Sequence, residues 1–354
     1  MSRTIHAKTR RTRIGTALIA GASALLLAAC AGSPAAQEGD KPSSGAPADL
    51  TDVTLTLNFL AGGPNSGFMV AKEKGYYEDA GLNVKIQEGQ GSGSTASLVA
   101  QGNSEFGVAD GPSAMTVASQ GGDLVNVGQI LQTNGFSTMS LKDKGIEEVK
   151  DLEGKSVGVQ PGTAQASLFD ALLAANGVDK STVNIVNIDP SALVGSLLQG
   201  SVDAITAGAD SQGVQLKDQG AEINEIMYRD AGVPTVGLSM ITGRSYAEEN
   251  PKIVSAFVEA SLKGWDDARN DPAEASEIVA KQFPQGADPE AIEKQLAVDI
   301  ELLCSKGSEG LGKVAPETWQ ETYDLIVEYL DLPTDEPVDF YYTNDYLPKD
   351  LPEC

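Results

Sequence analysis

The sequence predicts an α/β protein of two lobes, each a mostly parallel sheet flanked by helices, with a ligand cleft between them. Three observations carry this. Between residues 51 and 242 short β-type runs alternate with helical runs, the signature of sheets covered by helices on both faces. The plan of Ser97–Asp110, SLVAQGNSEFGVAD, returns in Ser196–Asp210, SLLQGSVDAITAGAD: a helix ending in Gln-Gly, an acidic residue, a strand, then Ala and Asp. The body of roughly 300 residues is long enough for two hydrophobic cores.

The first 29 residues stand apart. Arg10, Arg11 and Arg13 head an uncharged run from Ile14 to Ala29 that ends in LAAC at Leu27–Cys30. A basic head, a short apolar core and small residues read as a secretory signal peptide, too short for a spanning helix. Cys30 stands where the lipidated cysteine of a bacterial lipoprotein stands. TRRTR loosely resembles a twin-arginine export signal, and the export route stays open. Residues 30–50 are small, polar and proline-bearing, which predicts a disordered tether behind the lipid.

In the body, VTLTLNFL reads as a strand, GFMVAKEKGYYEDAG as one helix ending at Gly81, NVKIQE as a strand, SLVAQG as a helix and EFGVAD as a strand. The rhythm resumes with SVGVQ, ASLFDALLAANG, TVNIVNI, ALVGSLLQG and VDAITAG. After Arg244 the chain is mostly helical, with Trp265 and Trp319 on amphipathic stretches as packing residues. If the two echoed strands are equivalent, Asp110 and Asp210 stand at equivalent strand ends, where open α/β sheets bind ligands. Each aspartate equally fits a cap on the next helix.

The stretch Glu88–Thr95, EGQGSGST, puts three glycines after a strand. A dinucleotide fingerprint needs a third glycine where Ser94 stands, and a Walker loop needs a lysine that is absent. What remains is a helix N-terminus, with free amides and the hydroxyls of Ser92, Ser94 and Thr95 beside Gly93, suited to an anionic or strongly polar group. Gln160–Ser167, QPGTAQAS, repeats the arrangement with Thr163 at a helix start. Taken singly, Ser94 and Thr163 are ordinary caps; one loop per lobe favours a pocket.

Charge narrows the function. Residues 1–29 hold five of the 25 basic residues and none of the 50 acidic ones, so the remainder carries −30. That opposes a nucleic-acid partner. His6, the one histidine, lies in the leader, and only Cys304 and Cys354 follow Cys30. A zinc site and a cofactor are not expected, and in an oxidising compartment the two cysteines pair to staple the C-terminal tail. A histidine-based serine hydrolase has neither base nor G-x-S-x-G elbow.

Five stretches, GFMVAKEKGYYEDAGLNVKI, GSGSTASLVAQGNSEFGVAD, DLEGKSVGVQPGT, LLQGSVDAI and KGWDDARNDPAEA, resemble in residues and order the solute-binding proteins for nitrate, sulfonates, taurine and thiamine-pyrimidine precursors. The resemblance covers nearly all of residues 51–348. It implies a type II periplasmic-binding-protein-like fold, with lobe 1 from 51–137 and 238–354 and lobe 2 from 138–237. Crossings would lie near Gly135–Leu141 and Gly232–Thr242. It also implies a monomeric, lipid-anchored receptor on the outer side of the cell membrane. Such a receptor would close on a small molecule and present it to an ABC permease, without catalysis. A pyrimidine-precursor synthase of yeast shares the fold but depends on a histidine and a cysteine-rich motif, both lacking after residue 29.

The implied ligand contacts are Phe59, Asn65, Ser92, Gly93, Ser94, Thr95, Asp110, Thr163, Asp210 and Gln212. Phe59 stands where pyrimidine binders carry tryptophan, and Gln212 where they carry glutamate. A glutamine amide offers a different hydrogen-bond pattern from a carboxylate. With Arg229 or Arg244 as cationic partners, the expected ligand is a sulfonate or aromatic carboxylate. A thiamine-pyrimidine precursor is the alternative, and a ligand sensor not coupled to transport is a second one.

Overall fold

The first strand begins exposed at Thr51 and Asp52 and then turns Val53, Leu55 and Thr56 into a core. The computed structural model describes residues 50–286, 288–304, 309–330, 332–333 and 335–354; the leader and Cys30 lie outside them. The first stretch runs β1 (Thr51–Thr56), α1 (Ser66–Glu73), α2 (Tyr76–Asp79), β2 (Leu82–Gln87), α3 (Ser92–Ala100), β3 (Phe106–Asp110), α4 (Gly111–Ser119) and β4 (Val125–Gln129). The second runs β5 (Phe136–Leu141), β6 (Ser156–Val159), α5 (Ala164–Ala175), β7 (Asn184–Asn187), α6 (Pro190–Leu198), β8 (Ala204–Gly208), α7 (Val214–Asp218) and β9 (Ile223–Met227). The third is β10 (Leu238–Thr242) and then α8 (Arg244–Glu249), α9 (Pro251–Asn270), α10 (Pro272–Gln282), α11 (Pro289–Leu303) and α12 (Pro316–Leu330).

The two sheets share one plan. Their orders are β2-β1-β3-β10-β4 and β7-β6-β8-β5-β9. In each, the strand that arrives from the other sheet, β10 or β5, is antiparallel to both neighbours. The other four strands run one way, and the echoed strands β3 and β8 are the two central ones. Residues 67–81 form two helices rather than one. Gly75 adopts φ +76°, a left-handed conformation that ends α1, and Gly81 does the same after α2.

The helical tail starts its helices with proline and aspartate. Pro272 and Pro289 occupy first turns, while Asp271 and Asp288 accept from the amides of Glu274 and Ala291. Trp265 and Trp319 are fully buried. Trp265 sits edge-on to Phe68, and Gly67 lets α1 approach it, since a side chain there would collide with the indole.

The chain crosses between sheets over residues 130–135 and 228–237, and these segments are bonded to each other. Ile130 and Leu131 amides donate to the Leu238 carbonyl, and Asn134 donates to Thr235. Gln129, fully buried, ties both segments to α12. Its Nε2 donates to the carbonyls of Leu131, Gly237 and Leu238, and its Oε1 accepts from Asn126, Ser239 and Trp319 Nε1. Segments on either side of α12 run along β4: beyond it, the Asn126 amide donates to Tyr341 O and Thr343 N to Asn126 O, and before it Gly312 O accepts from Gln129 N. A Cys304–Cys354 disulfide joins the end of α11 to the last residue. Among the described residues no helix is long and apolar enough to cross a membrane.

Candidate ligand-binding site

The two glycine loops meet. Gly91, at φ +128°, precedes α3, and a side chain on it would collide with the carbonyl oxygen of Gly162 before α5. Gly93 lies 3.8 Å, measured from an added Cβ, from the same oxygen. Gly89 serves another contact: a side chain there would overlap the Leu57 carbonyl. Its amide donates to Phe59 O and that of Gly91 to Asn58 O, at 3.1 and 2.8 Å. The loop therefore rests on the 57–59 segment of its own sheet and touches the second sheet's loop with its tip.

Several side chains assigned by sequence to the ligand have other partners. The Thr95 hydroxyl is buried and donates to Leu57 O at 2.7 Å, so its single proton is committed within the protein. Thr163 is a cap: its oxygen accepts from Ala166 N and its proton goes to Gln160 O. Asn65 is buried and donates to Asn58 Oδ1. Ser94 is exposed. Arg244 donates to the carbonyls of Leu124 and Phe340 and stacks over the Phe340 ring at 4.2 Å, which makes it a packing residue. Glycine turns read alike whether they serve a ligand or a neighbouring backbone, which is why sequence grouped these hydroxyls together.

Other side chains keep unused bonding capacity. Phe59 is half-buried and belongs to none of the three apolar clusters. Asp110, almost fully buried, caps α4 through Oδ1 and Ser113 N, and its Oδ2 has no partner. Burial pushes its carboxyl up, and hydrogen bonds from Ser92 and Ser113 partly offset this. Ser92 Oγ also accepts from the Asp110 amide at 3.3 Å. Asp210 lies in a π-turn, Ala209–Gly213, that follows β8; such turns are frequent at functional sites. Its carboxyl is likewise raised by burial. Gln212 Oε1 accepts from Gly208 N and Ser211 Oγ, at 2.9 Å each, while its amide nitrogen bonds nothing among the described residues.

Sequence reasoning missed Asp299. It sits on α11, which packs against α10, the 63–65 turn, the 209–213 turn and α7. Gln295 Oε1 accepts from Gly63 N, Lys294 pairs with Asp218 of α7, and Leu302 O accepts from Gln132 N in a crossing segment. Asp299 is fully buried, with neither carboxylate oxygen hydrogen-bonded. Burial first, and then the charge of Asp210, hold its carboxyl well above the usual range. In sequence, VDIELL is an amphipathic helix segment, and an aspartate within it reads as solvated.

An open groove of about 610 Å³ lies elsewhere, lined by Tyr76, Asp79, Glu259, Lys263 and Asp267 among others, and none of the residues above lines it. Within it Lys263 pairs with Glu259 and the Tyr76 hydroxyl donates to Asp267.

Comparison with known proteins agrees with this architecture. The NMT1/THI5-like family model matches residues 65–275. The riboflavin-binding protein RibY of Chloroflexus aurantiacus is 26% identical over 341 residues, covering 92% of this chain and 95% of that one. A formylaminopyrimidine-binding protein of Halalkalibacterium halodurans is 24% identical over 287 residues, covering 80% and 85%. A protein of Legionella pneumophila named as a 4-amino-5-hydroxymethyl-2-methylpyrimidine phosphate synthase is 22% identical over 242 residues, covering 67% and 75%. Among solved structures, the periplasmic aliphatic sulphonate binding protein SsuA of Escherichia coli superposes with a TM-score of 0.67 at 18% identity, covering 84% of this chain and 99% of that one. Two sheets of identical plan, joined by paired crossings and matched over most of their length, lead to one conclusion: the chain belongs to the NMT1/THI5-like family.

Proposed function

We propose that this protein is the extracytoplasmic solute-binding component of an ABC importer and that it captures a small nitrogen heterocycle of the pyrimidine or flavin kind between its lobes. The observation that carries the ligand class is the pair of buried carboxyls with unmade hydrogen bonds, Asp110 and Asp299, with Asp210 beside Asp299. Buried acceptors are expensive unless met by donors, and ring N–H and amino groups are donors. Phe59, outside every core, supplies an aromatic face for stacking. Relatives named for riboflavin and formylaminopyrimidine support the class. The role is binding without catalysis, a reading supported by relatives named as binding proteins for riboflavin and formylaminopyrimidine. Cys30 carries the lipid that holds the receptor, as a monomer, at the outer face of the membrane.

A second reading, a sulfonate or aromatic carboxylate, rests on one observation. The amides of Ser92, Gly93 and Ser94 at the start of α3 meet no acceptor among the described residues, and such a terminus favours anions. A thermal-shift and calorimetric screen of residues 31–354 separates the two. The panel is riboflavin, 4-amino-5-hydroxymethyl-2-methylpyrimidine, hexanesulfonate and benzoate. A ligand at a hundred times its Kd adds about 2.7 kcal/mol of stability, an easily read shift. Hits confined to the heterocycles support the first reading, and hits confined to the anions replace it with the second.

A further inference from the structure

We infer that Asp299, on α11, is the polar anchor of the ligand and selects for molecules that present two adjacent N–H donors, such as an amino group beside a ring or amidine N–H. This deepens the reading given above and rests on it. The argument starts from position. Asp299 shares a helical face with Gln295, one turn earlier, which meets the backbone of Gly63. It also shares that face with Leu302, one turn later, whose side chain lies against Gly135 in a crossing segment. Its neighbour Val298 packs with the second sheet's cluster. The carboxylate is thus held where α11, the first sheet's 62–65 turn and the second sheet's 209–213 turn converge.

Chemistry then restricts what it does there. Two carboxylate oxygens offer about four acceptor sites, and none is used among the described residues. The neighbouring carboxyl, Asp210, disfavours ionisation of Asp299, and no hydrogen bond joins the two. A structural aspartate is retained by a cap, a backbone amide or a cation, and Asp299 has none of these. A ligand carrying paired N–H donors meets both oxygens at once, and a second donor edge reaches Asp210 from the other lobe. Such a ligand stabilises both carboxylates in their ionised form and bridges the seam, so binding and closure are one event. An anionic ligand placed there would bring no donor to either carboxyl.

The test uses residues 31–354, wild type and Asp299→Asn, with 4-amino-5-hydroxymethyl-2-methylpyrimidine, riboflavin and hexanesulfonate as probes in calorimetry. Asparagine keeps the volume but exchanges one acceptor oxygen for a donor, so it mismatches a paired donor edge. The expected result is heterocycle binding by the wild type and a loss of roughly tenfold to a hundredfold in Asp299→Asn. The melting temperature of the unliganded variant should be equal or higher, which separates lost recognition from lost folding. Asp299→Leu serves as a second variant in which both acceptors are gone. Unchanged heterocycle affinity in folded Asp299→Asn overturns the anchor while leaving the heterocycle reading intact. Binding of hexanesulfonate alone, or of no probe at all, overturns both.

Discussion

The backbone of Gly91 touches the backbone of Gly162, and each belongs to a different sheet. No side chain intervenes, so the distance between the lobes at this point is set by two peptide groups. Gly91 also holds φ +128°, which L side chains rarely adopt. Gly91→Ala should therefore act as a wedge, destabilising by about 1–3 kcal/mol through backbone strain and keeping the lobes apart. Small-angle scattering should report a larger radius of gyration, and ligand affinity should drop. Gly93→Ala, with its nearest foreign atom at 3.8 Å, is the matched control for the wedge and should leave the radius of gyration unchanged.

Phe59→Ala tests the stacking face. The ring lies outside each apolar cluster, so the melting temperature should hardly move. Affinity for a heterocyclic probe should fall by about 1 kcal/mol or more, the scale of one aromatic contact. A large stability loss with unchanged affinity would show the ring to be a packing residue.

The alternation of strands and helices, the echo of β3 in β8 and the helical tail were all legible, because alternation and helical period are local properties of the chain. The glycine loops were legible as loops. Their partners were not, since Thr95 finds Leu57 across 38 residues and Gly91 finds Gly162 across a lobe boundary. The break at Gly75 was missed because a glycine inside a helical pattern is tolerated as often as it terminates one. Asp299 left no trace because burial of a single acidic residue depends on what packs against its helix, and that contact is entirely tertiary.

Stability should depend on pH through Asp299. Its carboxyl is raised in the folded protein, so the native state keeps a proton that the unfolded chain releases near pH ~4. This contribution is therefore full below the ordinary carboxylate range and is lost as pH rises through the folded-state value. Melting temperatures from pH 4 to 8 should decline more steeply for the wild type than for Asp299→Asn, in the absence of ligand. Parallel curves would show that the carboxylate is met by water.

Gln129 binds the crossing segments, β10 and α12 at once. Gln129→Ala should cost about 2–4 kcal/mol in urea unfolding, because it strands several buried partners, including the Trp319 indole N–H. Gln129→Glu keeps the acceptor but removes the donors to three carbonyls, and it should be no better tolerated.

Reducing the Cys304–Cys354 bond opens a loop of 50 residues. In the chain-entropy model this lowers stability by about 4 kcal/mol. Urea unfolding with and without a reductant measures it, and Cys304→Ser should match the reduced protein and be indifferent to reductant.

The returning tail has one more consequence, which concerns neighbours rather than ligands. A bare strand edge is a row of amides and carbonyls on which another chain can lay a strand of its own. In the first sheet β4 is such an edge, and residues 312 and 341–343 already occupy its bonding groups. Receptors crowded together are thereby denied that flank as a seam for polymerisation. Trimming the chain before Phe340 would expose part of it, and turbidity at high concentration would register the change before any loss of affinity did.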